Sequence, residues 1–119
     1  MRLSRIIELV NGEVLASSAD LDLDIAEGCG ADLLSDVIAS ARPRALLLTG
    51  LCTPQVVQTA RVVDVAAILF VSGKRPLEPV LAVARHNGMP LIRSTLSMFE
   101  ACGRLYEAGL APSFRNESI

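Results

Sequence analysis

The sequence predicts an α/β domain: a three-layer sandwich with a mostly parallel sheet and helices on both faces. Three observations predict it. Apolar runs recur from residue 44 onward, "ALLLTG", "AAILFVSG" and "PLIRST", at a period of about 22 residues. The runs are continuous rather than alternating, as in strands buried on both sides. Each is followed by a stretch with helical spacing, which supplies the crossover that parallel strands require.

The elements follow in order. Leu3, Ile6, Ile7 and Val10 recur at helical spacing, and Asn11-Gly12 is a left-handed stop. "EVLAS" predicts a short strand. In "ADLDLDIAEG" Leu21, Leu23 and Ile25 alternate with Asp20, Asp22 and Asp24, which predicts a half-exposed strand or extended edge. "GCGADL" then reads as a turn, with Asp32 capping a helix whose inner stripe is Leu33, Leu34, Val37, Ile38 and Ala41. Arg42-Pro43 ends that helix.

After the first apolar run, Thr53-Pro54 starts a helix with the inner stripe Val56, Val57, Ala60 and Val63. After the second, Leu77, Val80, Leu81 and Ala84 form a stripe that Asn87-Gly88 closes. After the third, Ser97 and Glu100 form a capping box ahead of Met98, Phe99, Cys102, Leu105 and Tyr106. Residues 1–110 are expected as one domain and 111–119 as a polar tail.

Composition narrows the function. The chain has 119 residues, the length of one domain. Hydrophobic residues are 51% and aromatic ones 3%, so the core is aliphatic. Scarce aromatics and a net charge of −2 argue against nucleic acid as a partner. The longest apolar run has strand length, far short of a membrane span. Cys29, Cys52 and Cys102 are widely spaced and His86 is the only histidine, so neither a zinc site nor a disulfide framework is expected. The reading is a cytoplasmic protein with no cofactor and no metal.

Motif tests mostly fail. "GCGADL" has Leu33 in place of the third glycine of a dinucleotide turn, and no acidic residue ends the next strand. "DLDLD" has Ile25 and Ala31 where a calcium loop needs Gly and Glu. "SGKRP" has Ile68 at the upstream glycine of a Walker loop and Arg75 after the lysine. Cys52 at a helix start suits a thiolate, but the topology puts His86 at the opposite pole, so no nucleophile–base pair forms. One candidate remains. Thr49, Ser72, Lys74, Arg75, Arg93 and Thr95 fall at the exits of three consecutive strands, where hydroxyls and cations could form a rim for an anion.

The runs "DLLSDVIA", "AILFVSGKRP" and "PLIRSTLSMFEACGRLYEAGL" resemble the DRTGG-domain proteins, which are similar to the N-terminal domain of HPr kinase/phosphorylase. The resemblance covers roughly residues 1 to 110. At the name-giving stretch, "LDLDIAEG", Asp22 is the residue that matches. The resemblance implies an α/β sandwich, an accessory rather than catalytic module, and self-association. The kinase's phosphate loop lies in a separate domain, so no kinase activity comes with the likeness. The expected function is a non-catalytic regulatory or interaction module acting as a homodimer. The alternatives are a sensor of a nucleotide or phosphorylated small molecule at the strand carboxyl ends, and an enzyme of phosphoryl or acyl transfer. A mean hydropathy of +0.46 agrees with a surface that pairs with another subunit.

Overall fold

The computed structural model describes residues 1–17 and 21–113. Asp20, the first of the three alternating carboxylates, and residues 114–119 lie outside them. The order is α1 (Leu3–Leu9), β1 (Glu13–Ala16), β2 (Glu27–Gly30), α2 (Leu34–Ser40), β3 (Ala45–Thr49) and α3 (Pro54–Val62). Then come β4 (Ala67–Phe70), α4 (Glu78–Asn87), β5 (Leu91–Arg93), α5 (Met98–Glu107) and β6 (Ala111–Pro112).

The six strands form one sheet in the order β1-β5-β4-β3-β2-β6. Every pairing is parallel except that of β1 with β5. Strands β2 to β5 advance one place at a time. Helices α2, α3 and α4 make those crossovers on one face, through Val37, Val56, Val57, Ala60, Val80 and Ala84. Helices α1 and α5 cover the other face through Leu3, Ile6, Val10, Ala101 and Leu105. The central strands serve both layers: Leu47, Ile68 and Phe70 point to the first, Leu46, Leu48 and Leu69 to the second. This is why their sequences are unbroken apolar runs.

Most helix signals act as their chemistry demands. Asn11 and Gly88 take left-handed φ values of 52° and 64° after α1 and α4. The Ser97 hydroxyl accepts from the Glu100 amide, while the Glu100 carboxylate turns to Arg104 instead of closing the capping box.

Four local expectations are corrected. The alternating aspartate segment is not a strand: Asp22 lies in a turn and Asp24 makes only an isolated bridge to Arg2. Its burial still alternates, with Ile25 inside and Asp22 and Asp24 outside, because the segment lies along α1. "EGCG" is the strand β2, not a turn. Gly30 lets α5 settle close to the sheet, since a Cβ there would lie 3.0 Å from the Cys102 sulfur, and Gly28 makes room for Leu110 just after the helix. Helix α2 starts after Leu33, and Leu33 and Ile38 are exposed rather than core. On α5 the inward residues are Ala101 and Leu105, while Phe99 and Tyr106 face out. In addition, residues 111–113 are held by the domain: Ala111 and Pro112 pair with β2, and the buried Ser113 donates its amide to the Gly28 carbonyl.

Candidate functional site

Parallel strands put their carboxyl ends at one pole of the sheet, and the candidate rim lies there. Register fixes its layout. Thr49 is opposite Phe70, and Phe70 is opposite Arg93, so the three strand exits are side by side. Because β1 runs against β5, its first residue, Glu13, is opposite Arg93 and joins the same pole.

The six candidates do not act as one set. Thr49 is fully buried and its hydroxyl is committed: it donates to Asp32 Oδ1 at 3.1 Å and accepts from the Leu51 amide at 3.1 Å. The Gly50 amide also donates to Asp32 Oδ1, at 2.8 Å. Asp32 is therefore tied to the exit of β3 instead of capping α2. Ser72 sits at φ 59°, an unusual conformation for a residue with a Cβ, and Gly73 follows at 70°. Their amides donate to the carbonyls of Leu96 and Ser94, at 2.6 and 2.9 Å, so this turn is sewn to the exit of β5. Those two N–H groups are consumed and cannot cradle a phosphate.

Two parts result. The first is an open groove of about 320 Å³ lined by Asp32, Gly50, Leu51, Ser72, Lys74 and Met98. It presents one ammonium, one carboxylate and one hydroxyl. The second is a cluster in which Arg75 and Arg93 donate to a single oxygen of Glu13, at 2.9 and 3.3 Å. Arg93 is further fixed by its Nε donating to the Gly73 carbonyl at 3.1 Å. Thr95 is exposed just beyond β5.

Asp32 and Glu13 belong to this pole and were not among the candidates. Asp32 could have been found by treating the end of β2 as a fourth strand exit. Glu13 needed the antiparallel placement of β1, which one sequence does not carry.

Burial disfavours the thiolate form of the cysteines. Burial raises the pKa of all three thiols above the ordinary 9.0, and Cys102 and Asp36 push Cys29 in the same direction. At Cys52, Lys74 pulls the other way but burial dominates. His86 lies near the end of α4, which runs back toward the amino ends of the strands, away from Cys52. Among the described residues no group of three metal-ligating side chains occurs, and no helix is long and apolar enough to cross a membrane.

No family model matches the chain, and no curated protein matches it. A solved structure does: the CBS and DRTGG domains of the regulatory region of Clostridium perfringens pyrophosphatase, complexed with its activator, diadenosine tetraphosphate. The TM-score is 0.76 at 12% identity, over 98% of this chain and 51% of that one. The chain thus spans about half the length of the structure it matches. At this identity the likeness is one of fold. The chain's fold is like that of about half of the CBS and DRTGG region, and the match does not bear on HPr kinase/phosphorylase.

Proposed function

We propose that the chain is a non-catalytic regulatory module that senses a phosphorylated small molecule at the carboxyl ends of its strands. The observation that carries this reading is the groove where Lys74 and Asp32 face one space across the exits of β2, β3 and β4. A cation beside a fixed carboxylate suits a ligand with an anionic group and hydroxyls, as in a nucleotide. The ammonium meets phosphate, and the carboxylate accepts from sugar hydroxyls. The fold match adds support, because that regulatory region was crystallised with a nucleotide activator. The protonated thiols and the separation of Cys52 from His86 favour binding over chemistry. Homodimer formation is the second part of the proposal, favoured by the exposed rings of Phe99 and Tyr106.

Thermal shift and calorimetric titration with ATP and diadenosine tetraphosphate test the sensor. The expected result is a ligand-dependent rise in melting temperature that is weakened in Lys74→Ala and Asp32→Ala. A flat profile at millimolar ligand, or a response that Lys74→Ala leaves intact, removes it.

A further inference from the structure

We infer that Arg75 and Arg93 form a second phosphate subsite beside the groove, with Glu13 holding the place of the phosphate, so that the pole selects ligands with two or more linked phosphates. This deepens the sensor reading and rests on it.

Strand order sets charged groups in a row across the pole. Asp32 follows β2, Lys74 follows β4, Arg93 ends β5 and Glu13 begins β1. Neighbouring strands lie about 4.8 Å apart, so the row steps from carboxylate to ammonium to guanidinium in intervals of one or two strand spacings. Groove and cluster meet at one turn. Ser72 and Lys74 line the groove, and Gly73 between them offers its carbonyl to Arg93 Nε at 3.1 Å. A ligand whose hydroxyls meet Asp32 and whose first phosphate meets Lys74 has the arginines one strand further on, where its next phosphates fall.

The cluster has the geometry of an anion site. Arg75 Nη2 and Arg93 Nη1 converge on one oxygen, Glu13 Oε1, at 2.9 and 3.3 Å. Edge pairing explains only part of this: Glu13 and Arg93 are opposite in register, as a cross-strand ion pair would be. Arg75 comes from the segment after β4 and adds a second cation to a carboxylate that already has one. The trio therefore carries a net positive charge. Arg93 is held by Gly73 and its side chain is 23% exposed, whereas those of Arg75 and Glu13 are 55% and 49% exposed. A fixed guanidinium, a mobile one and a carboxylate with access to water make a displaceable contact. Half-exposed ion pairs are weak, so Glu13 leaves at little cost. A terminal phosphate brings more charge and three oxygens for the two guanidinium forks, so it wins the place. A single phosphate at Lys74 leaves Glu13 where it is.

Calorimetric titration with AMP, ATP and inorganic tripolyphosphate, in EDTA at low salt, tests this. ATP should bind at least about tenfold more tightly than AMP. Arg75→Ala should shrink that ratio to about twofold or less, and Arg75→Lys, which keeps the charge but loses the fork, should fall between. Glu13→Gln should widen it. Both positions are half exposed, so without nucleotide the variants should melt close to the parent. Equal affinities for AMP and ATP, or a ratio that Arg75→Ala leaves unchanged, overturn the inference. If both nucleotides then still depend on Lys74, the sensor reading stands without it. Conversely, tripolyphosphate that binds through Arg75, while Asp32→Ala weakens neither nucleotide, keeps the phosphate subsite and removes the sugar contact of the sensor reading. No binding of ATP or of tripolyphosphate removes both.

Discussion

Asp32 and Thr49 are hydrogen-bonded across the exits of β2 and β3, with 3.1 Å between Oδ1 and Oγ1. A buried hydroxyl holds a carboxylate at the rim of a groove. Thr49→Val keeps the shape but removes the hydroxyl, leaving the Leu51 amide without its acceptor. The expected loss is about 1–3 kcal/mol in urea denaturation. Thr49→Ser, which keeps the hydroxyl, should lose less. If the two variants are equally stable, the hydroxyl is not what orders this exit.

Glu13 neutralises two arginines at the same pole as the groove. Glu13→Gln should free Arg75 and Arg93 and strengthen inorganic pyrophosphate binding at low salt, roughly two- to fivefold per ion pair released. The gain should shrink as salt rises. Stability should change by less than about 1 kcal/mol, because Glu13 and Arg75 are half exposed. Calorimetric titration of both proteins reads the effect; equal affinities would show that the arginines stay out of anion binding.

Gly12 is required by a close approach. A Cβ placed there would lie 2.7 Å from Cγ2 of the fully buried Ile92. Gly12→Ala should cost about 1–3 kcal/mol through this overlap. A smaller Gly12→Ala penalty in an Ile92→Ala background, which lacks Cγ2, would confirm the cause, and an undiminished penalty would refute it.

The thiols give a pH signature. Their pKa values are raised by burial, so at neutral pH iodoacetamide should react with Cys52 more slowly than with a free thiol. Lys74→Ala should slow it further, since Lys74 is the one group that lowers this pKa. For an acid whose folded pKa is raised, the stabilising contribution is complete below the unfolded value and lost as pH rises through the folded one. Stability should therefore fall as pH climbs above 9.0, the ordinary value. Alkylation as fast as a free thiol would contradict the burial assignment.

How far the sequence could be read follows from what each signal encodes. Unbroken apolar runs such as Ala45–Thr49 announce burial on both faces, so the parallel centre and its crossovers were legible. Helix boundaries at Thr53-Pro54, Asn87-Gly88 and Ser97 were legible because they are local, although the Thr53 side chain makes no capping hydrogen bond. Helix α5 was misread in part: Phe99 and Tyr106 are apolar enough to be assigned inward, yet the core takes Ala101 and Leu105. The strand β2 was hidden because its glycines serve the packing of α5 and Leu110 rather than strand propensity. At the rim, the strand exits could be listed from sequence. The division into a groove at Lys74 and a neutralised cluster at Glu13 could not, because it depends on which edge strand runs backwards.

The two edge strands of the sheet, β1 and β6, come from opposite parts of the chain. β1 pairs with β5 and β6 pairs with β2, while the Ser94 hydroxyl reaches the Val10 carbonyl across 84 positions. These distant pairings make folding slow for a chain of this size, since much loop entropy is lost before the edge strands dock. During synthesis the outer edge of β2 lacks its neighbour until residue 112 has emerged. Until then the nascent chain exposes an open strand edge, the kind of surface through which unfinished chains aggregate.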